Sequence, residues 1–367
     1  MDAATRSHDE PPAPLRPPTA VGPEWVRGLF PWRVVVLPWL VSRVLSAVVL
    51  VAAGSSGGRL RLGGFFAWDG GWYEHIARFG YGPPPPDGVQ TPWPFFPLLS
   101  GIVRGFDEVG IPGRGATVVL NHLVFLVALA GVHRLARRHT SAPAAALAVW
   151  AIALFPGSFV FSMLYPSAIF LAGSVWAFIL VEDRHDVGAS VLVVVVAMAR
   201  PNGLAVALAL AFAVWSWPRA VVVAGPAVVA VGVWCALCWH WTDDPVVFFT
   251  AKSSWGEVTL GNLLFPIADY GALVHFGLGV LALAAVVVER RRLPASWLVL
   301  SGLYLLPPLV LGVIGLGRYA NECFAPFVAF GNLLARLPAQ LRGLLLTISA
   351  AGLVGCATAV IRYDFVP

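Results

Sequence analysis

Apolar stretches long enough to approach or match the thickness of a lipid bilayer recur along almost the whole chain. A helix needs about 20 apolar residues to span roughly 30 Å of hydrocarbon. Eleven runs come near that length, at 34–53, 115–133, 143–163, 166–181, 187–199, 203–217, 220–241, 271–288, 295–315, 321–335 and 343–361. Because lipid cannot hydrogen-bond an open backbone, each run is expected to be helical. The sequence therefore predicts an all-α, polytopic integral membrane protein with about eleven transmembrane helices.

The composition excludes a soluble globular protein. Of the 367 residues, 58% are hydrophobic and only 12% are charged, whereas a soluble domain has about 25% charged residues. The net charge of +5 does not indicate nucleic-acid binding, because the arginines are spread among short loops and form no basic stripe with interleaved aromatic residues. The expected partners are membrane lipids and no nucleic acid.

The chain divides into residues 1–24 and 25–367. The first region is polar and rich in proline, so it is predicted to be a disordered cytosolic tail. The second is the predicted transmembrane domain. Three arginine clusters fall on one side of the predicted spans, namely Arg27 with Arg33, Arg134 with Arg137 and Arg138, and Arg290 with Arg291 and Arg292. Since positively charged loops face the cytosol, the N-terminus is predicted to be cytosolic in a multi-pass protein of the cell membrane.

Two long connections, near 54–114 and 242–270, lie on the outer side in this topology, whereas every inner connection is short. Loops well above the usual connection length are generally functional. The active site is therefore predicted to be extracytoplasmic.

The loop near 54–114 combines polar and aromatic residues in a specific pattern. It reads Trp68-Asp69-Gly70-Gly71-Trp72-Tyr73-Glu74-His75-Ile76-Ala77-Arg78-Phe79-Gly80-Tyr81, with Phe95-Phe96-Pro97-Leu98 further along. The pattern W-D-G-x-W-Y-x-x-I-A-x-x-G-Y followed by F-F-P-L resembles a bacterial member of the PIG-V-like (GPI mannosyltransferase II-like) family of GT-C membrane glycosyltransferases.

This resemblance covers nearly the whole chain after the tail. It continues in Ala199-Arg200-Pro201-Asn202-Gly203, in Asp244-Pro245 with Phe248-Phe249 and Ala251-Lys252, and in Gly317-Arg318-Tyr319. The chain departs from the family at one point. An acidic residue commonly follows the tyrosine between the third and fourth spans, whereas Tyr165 is followed here by Pro166 and Ser167.

The resemblance implies a GT-C-like fold and an inverting transfer of mannose from a polyprenyl-phosphate-mannose donor to a lipid or glycan acceptor on the outer face. It does not identify the acceptor. Two other functions suit a polytopic membrane protein: a transporter or flippase of a lipid-linked sugar, and a non-catalytic partner in a glycan-assembly complex. A transporter is expected to place paired charges or broken helices near the midplane. The sequence shows one clear charge there, Arg43, which marks either a function or a structural pair.

Asp69 is the predicted catalytic base. Displacement at an anomeric carbon needs one group to accept the proton of the acceptor hydroxyl, so one carboxylate suffices. The alternative is that Asp69 caps the free amides at the start of a helix. Glu74 is the second candidate for the base. It lies four residues before Arg78, a spacing that also favours a surface ion pair.

Aromatic and polar neighbours of Asp69 are predicted to bind the sugar. Trp68, Trp72 and Tyr73 suit stacking on a sugar ring, although an interfacial aromatic belt uses the same residue types. His75 would share a helix face with Trp72, so it either hydrogen-bonds sugar or phosphate or packs at the membrane interface.

The departing phosphate stays charged on its lipid carrier, and cations are expected to hold it. Arg318 is the preferred phosphate ligand, with Arg200 and Lys252 as further candidates. The matching motifs add three residues to the predicted substrate-binding set: Asn202, Asp244 and Tyr319.

No metal site and no cofactor are predicted. Cys235 and Cys238 form a C-x-x-C inside an apolar run, but a structural zinc site needs four ligands, and His240 is the only nearby third candidate. These cysteines are therefore interpreted as packing residues. Asp243 and Asp244 indicate the start of a turn, or part of a metal site that a lipid phosphate would complete.

Overall fold

The computed structural model describes residues 31–54, 62–86, 88–255, 270–311 and 315–362, and every regular element in these ranges is helical. The α-helices are α1 (Leu37–Gly54), α2 (Asp69–Phe79), α3 (Pro97–Glu108), α4 (Gly113–His139), α5 (Ala142–Leu154), α6 (Ser167–Glu182), α7 (Asp186–Ala199), α8 (Gly203–Val214), α9 (Trp217–Thr242), α10 (Val247–Thr250), α11 (Tyr270–Glu289), α12 (Ala295–Leu311), α13 (Leu316–Glu322), α14 (Phe324–Ala335) and α15 (Ala339–Ile361). A π-helical turn covers Trp32–Val36, and 3₁₀ segments cover Gly63–Phe66, Pro156–Ser162 and Ala251–Trp255. The predicted tail at 1–24 and residues 256–269 of the second predicted loop lie outside the described residues.

Each of the eleven predicted spans contains a described helix. In the described part of the chain, five helices are long and apolar enough to cross a membrane, at Trp32–Ala52, Gly113–His139, Trp217–Thr242, Gly271–Glu289 and Ala339–Ile361. Five shorter apolar helices, α6, α7, α8, α12 and α14, account for five more of the runs. The eleventh run is α5 with Pro156–Ser162, two segments that meet at 73°. The protein is thus an all-α, multi-pass membrane protein, as the sequence predicts.

One predicted boundary is wrong. The runs 203–217 and 220–241 actually divide at Trp215, which has a φ of 43° and ends α8 in the left-handed conformation. Trp217 then begins α9, because Pro218 in its first turn favours a helix start. The first predicted loop contains two helices, α2 and α3, which lie within 54–114 and pack on each other.

One end of the helix bundle carries ion pairs of arginine, and we call it the arginine end. Arg138 binds Asp183 at 2.8 Å, the ring of His139 contacts that of Trp297 with centroids 4.9 Å apart, and Arg336 binds Glu289 at 2.6 Å. The second and third predicted arginine clusters are adjacent to these contacts in sequence and lie at this same end.

The broken helix α5 brings an irregular segment into the bundle. Arg43 of α1 donates to Ser162 Oγ at 2.8 Å and to Ser158 at 2.8 Å, and its guanidinium carbon lies 4.5 Å from the ring centroid of Phe125. Asn121 of α4 donates to the carbonyl oxygens of Met163 and Tyr165 at 2.8 and 2.9 Å. The structure thus favours the structural reading of Arg43, since its hydrogen bonds hold the segment 156–162.

Close packing of this segment against α13 requires glycine. A Cβ placed on Gly157 would lie 2.9 Å from the carbonyl oxygen of Gly317, which is closer than ordinary van der Waals contact. This approach also brings Tyr165, three residues after the segment, close to Arg318 of α13. The guanidinium carbon of Arg318 lies 5.3 Å from the Tyr165 ring centroid.

Candidate active site

Asp69 and Arg318 form an ion pair at the end of the bundle opposite the arginine end. Arg318 Nη1 lies 2.6 Å from Asp69 Oδ2, and the side chains are 11% and 19% exposed. Asn121, which holds Tyr165 beside this pair, and Arg138 at the arginine end are both on α4, about 26 Å apart along its axis at about 1.5 Å per residue. The pair therefore lies about one hydrocarbon thickness from the arginine end.

Asp69 is the first residue of α2, but its side chain does not cap that helix. The N-cap residue is Trp68, and no side-chain cap hydrogen bond is present there. Trp68 has a φ of 56° and a ψ of −124°, a conformation that costs a non-glycine residue roughly 1–3 kcal/mol. Two hydrogen bonds fix it: the indole donates to the carbonyl oxygen of Val360 at 3.0 Å, and the backbone amide of Asp69 donates to the hydroxyl of Tyr165 at 3.1 Å. The capping alternative for Asp69 is thus wrong, and its carboxylate points to Arg318.

A second guanidinium lies beside the pair. The guanidinium carbons of Arg200 and Arg318 lie 5.8 and 5.5 Å from the ring centroid of Tyr319. Within the described part of the chain, the Nε groups of both arginines are buried and have no hydrogen-bond partner. Buried guanidinium donors are costly to leave unpaired. Two donors of this kind next to one ring are suited to binding an anion.

Glu322, which sequence reasoning missed, compensates Arg200. Its carboxylate is fully buried, lies 3.1 Å from Arg200 Nη2, and accepts hydrogen bonds from the hydroxyls of Ser167 and Tyr304. Glu322 is the last residue of α13 and falls within the predicted span 321–335. The rule that singled out Arg43, that a charge inside a span is expensive and has a function or a partner, would have identified Glu322 as well.

Tyr73 lies on α2 one helical turn after Asp69 and is buried. Its ring meets that of Phe95 edge-on, with centroids 5.2 Å apart. Burial raises the pKa of the Tyr73 phenol above its usual range. The phenol therefore remains protonated.

The other predicted residues of α2 lie apart from the ion pair. Glu74 binds Arg78 at 2.6 Å, which is the i,i+4 pair that the spacing predicts, and also lies 3.4 Å from Arg114. His75 is exposed and its ring contacts those of Trp72 and Phe79, with centroids 6.2 and 5.2 Å apart. Trp72 stacks on Phe95 at 6.1 Å. These contacts match the interfacial-packing alternative for His75 and Trp72 and the ion-pair alternative for Glu74.

The second predicted loop contributes one cation. Lys252 is exposed and lies in the 3₁₀ segment Ala251–Trp255. Asp244 instead accepts hydrogen bonds from Val246 N at 2.9 Å and Thr250 Oγ1 at 2.6 Å. It therefore stabilises the start of α10, which is the turn alternative of the sequence analysis.

Asn202 and the cysteine pair have local roles. Asn202 precedes α8 as its N-cap residue without a side-chain cap hydrogen bond. Cys238 is buried in a cluster with Trp93 and Trp234, as expected for a packing residue. In the described ranges, no group of three or more His, Cys, Asp or Glu side chains is arranged to hold a metal ion.

The site thus combines two carboxylates and two guanidiniums in a compact, largely buried cluster. Asp69 and Glu322 supply the negative charges, and Arg318 and Arg200 supply the positive ones. Asp69 is the more accessible carboxylate, since Glu322 is fully buried. Chemically, the cluster can accept a proton at Asp69 and bind an anion at the guanidinium groups.

No protein-family model and no curated protein matches the chain. Among solved structures, the chain is similar to the oligosaccharyltransferase of Archaeoglobus fulgidus tethered with an acceptor peptide, with a TM-score of 0.49 and 12% identity over 92% of this chain and 56% of that chain. It is also similar to that organism's oligosaccharyltransferase in complex with an inhibitory peptide and a dolichol-phosphate, with a TM-score of 0.46 and 11% identity over 91% of this chain and 56% of that chain. The chain spans about half the length of these solved structures.

Proposed function

We propose that this protein is an inverting GT-C-type glycosyltransferase that moves a sugar from a polyprenyl-phosphate donor to a hydroxyl group of a lipid or glycan acceptor. The observation that carries the proposal is the Asp69–Arg318 ion pair at 2.6 Å. It joins a proton acceptor to a phosphate-binding cation in a partly exposed cluster. The sugar proposed is mannose, on the basis of the sequence resemblance to the PIG-V-like family.

In the proposed reaction, the acceptor oxygen attacks the anomeric carbon of the sugar while Asp69 takes the hydroxyl proton. The bond from the anomeric carbon to the phosphate oxygen breaks, and its electron pair stays on that oxygen. Attack opposite the leaving group inverts the anomeric centre. A phosphodiester thereby becomes a phosphomonoester with one more negative charge.

The ion pair suits this movement of charge. As the proton reaches Asp69, the carboxylate loses its negative charge and Arg318 loses its partner. At the same time the leaving phosphate gains a negative charge, which Arg318 can stabilise. Arg318 is therefore paired with a negative group both before and after the reaction. Its partner is the Asp69 carboxylate before transfer and the leaving phosphate after it.

Two further cations are proposed to bind the donor phosphate. The buried Nε groups of Arg200 and Arg318 have no partner within the described residues, and charge-assisted hydrogen bonds to phosphate would satisfy them. Lys252 lies at the exposed side, where a lipid phosphate would approach.

The other residues predicted to bind substrate differ in how close the structure places them to the ion pair. Tyr319, whose ring lies beside both guanidiniums, would contact sugar or phosphate. Tyr73, one turn after Asp69 on α2, would do so as well. Five further residues have local contacts of their own and would act at the margin of the site: Trp68, Trp72, His75, Asn202 and Asp244.

We further propose that the Asp69 end faces the outside of the cell and the arginine end the cytosol. Positively charged loops remain on the cytosolic side, and the arginine end carries two of the three predicted clusters. Polyprenyl carriers would then present their sugars at the outer surface of the cell membrane.

The decisive experiment incubates purified protein in lipid nanodiscs with radiolabelled polyprenyl-phosphate-mannose and a lipid extract of the cell. Formation of a new labelled product by the natural protein, and none by Asp69→Asn, is expected. The same protein is also reconstituted in liposomes, where movement of intact donor between leaflets without a product would indicate a flippase. Product formation only after addition of other membrane proteins would indicate a non-catalytic partner.

A further inference from the structure

We propose that Glu322 is a positioning residue for the transfer reaction, which holds Arg200 beside Arg318 so that both guanidiniums address one phosphate. This inference rests on the proposed function. Glu322 does not touch the reacting atoms in this scheme, and it acts through Arg200.

The contacts of Glu322 are those of a carboxylate built into the bundle. One oxygen is bound by Arg200 Nη2 and the Ser167 hydroxyl, and the other by the Tyr304 hydroxyl. Arg200 Nη2 also lies 3.3 Å from Ser167 Oγ. Three donors converge on a group that only accepts, and its side chain is 0% exposed.

These donors come from different elements of the fold. Ser167 begins α6, Tyr304 lies in α12, and Arg200 follows the last residue of α7. Glu322 itself ends α13, one turn after Arg318 on the same helix. A single carboxylate therefore fixes the position of Arg200 relative to the helix that carries the other cation.

Charge explains why Arg200 needs this partner. Arg200 and Arg318 both lie within 6 Å of the Tyr319 ring, at 5.8 and 5.5 Å, and the two positive charges repel each other. A buried guanidinium that lacks both a carboxylate and enough neutral acceptors is strongly unfavourable. With Asp69 beside Arg318 and Glu322 beside Arg200, the repulsion is offset before a phosphate arrives.

The test compares Glu322→Gln with Glu289→Gln. Glutamine keeps the volume of the side chain and removes its charge in both variants. Glu289 is a matched control, because it too is fully buried and ion-paired, with Arg336 at 2.6 Å and Arg292 at 3.3 Å, but lies at the arginine end. Both variants should be destabilised, and this is measured as thermal unfolding in detergent.

Only Glu322→Gln is expected to weaken binding of the donor phosphate. The probe is polyprenyl phosphate without a sugar, whose affinity is measured by calorimetry and requires no turnover. We expect a loss of about tenfold or more, which is about 1.4 kcal/mol of binding free energy, together with a higher KM for the donor. Equal affinities in the two variants would overturn the inference.

Arg200→Gln supplies the second arm of the test. If Glu322 acts through Arg200, the double variant should bind polyprenyl phosphate about as well as Arg200→Gln alone. Additive losses would overturn the inference and assign Glu322 an independent role. Should Glu322→Gln fail to fold, Tyr304→Phe removes one donor while leaving the charge, and it should raise the donor KM in the same direction; an unchanged KM would count against the proposal.

Failure of the inference and failure of the proposed function give different results. If the natural protein binds polyprenyl phosphate but transfers no sugar, the proposed function fails while the Glu322 comparison can still be made. If the natural protein transfers sugar and Glu322→Gln behaves like Glu289→Gln, only the inference fails.

Discussion

Arg43 donates from a single guanidinium nitrogen to both the hydroxyl and the carbonyl oxygen of Ser158, 115 residues further along the chain. The buried guanidinium of Arg43, which lies inside a predicted span, is thus satisfied by uncharged hydrogen-bond acceptors. The contact also fixes the bend after α5, because Ser158 lies in the irregular segment Pro156–Ser162. A charged residue in the membrane here has a structural role, and its removal has a measurable consequence.

Arg43→Ala should destabilise the protein strongly, because it leaves the Ser158 and Ser162 hydroxyls buried without their donor. The expected cost is about 2–5 kcal/mol, the range for breaking buried polar networks. Thermal unfolding followed by tryptophan fluorescence measures it. Arg104→Ala is the control, because Arg104 and Glu108 are 63% exposed and such pairs contribute about 0–1 kcal/mol. Equal melting temperatures of the two variants would contradict the structural role.

Topology can be tested by introducing cysteine at exposed positions of the two ends. Asp87, a natural choice in the first predicted loop, lies outside the described residues, so Val89, which is exposed, takes its place. Val89→Cys should react with a membrane-impermeant thiol reagent in intact cells, and Arg291→Cys should react only after lysis. The natural protein, with its four cysteines, gives the background. Reaction of Arg291→Cys alone in intact cells would invert the proposed orientation.

Asp69→Asn should abolish transfer while the protein remains inserted. Loss of a positioned base commonly lowers the rate by about 10²–10⁴-fold, and Asp69→Glu should recover little, because it displaces the carboxylate by about 1 Å. A product assay measures the rates. Glu108→Gln is a control for loss of a carboxylate, since Glu108 pairs with Arg104 at the surface.

If Asp69→Asn retains most of its turnover, the base is not Asp69. Glu74→Gln is then the next variant, despite the ion pairs of Glu74 with Arg78 and Arg114. Normal turnover in both variants would remove α2 from the mechanism.

Arg318→Ala should impair use of the donor more than Arg318→Lys. The guanidinium can bind Asp69 and a phosphate oxygen through separate nitrogens, whereas lysine keeps only the charge. The measurement is kcat/KM for the polyprenyl-phosphate donor in each variant. Unchanged values in both would assign the phosphate to Arg200 or Lys252.

Chelators should leave transfer largely intact. Neither Asp243 nor Asp244 belongs to a group of three or more potential metal ligands among the residues that the structure describes. The check is transferase activity after dialysis against EDTA. Activity that disappears and returns with manganese or magnesium would show that a lipid phosphate completes a site at this turn.

The helices could be predicted from the sequence, but the site could be predicted only in part. Each apolar run is a local property of about 20 residues, so the sequence alone predicts each of the eleven. Asp69 and Arg318 were each chosen for their chemistry, yet their contact joins residues 249 positions apart and depends on how α2 and α13 pack. Trp215 was missed as a boundary because a left-handed tryptophan has no sequence signal of the kind that glycine gives.

Glu322 shows a different reason for failure. Its position within the predicted span 321–335 marks it as a charge that needs a function or a partner, but the sequence does not say which partner it has. Its partners Ser167, Arg200 and Tyr304 are uninformative separately. Only the packing of α6, α12 and α13 reveals that they surround one carboxylate.

The hydrogen bond from the Trp68 indole to the carbonyl oxygen of Val360 links the turn before Asp69 to a residue synthesised 292 positions later. Translation and membrane insertion proceed from the N-terminus, so α2 is synthesised long before α15. The strained conformation of Trp68 has this stabilising contact only after α15 has been inserted and packed. A nascent chain stalled before that point would therefore carry an unformed site, and the proposed activity would begin only when biogenesis of the last described helix is complete.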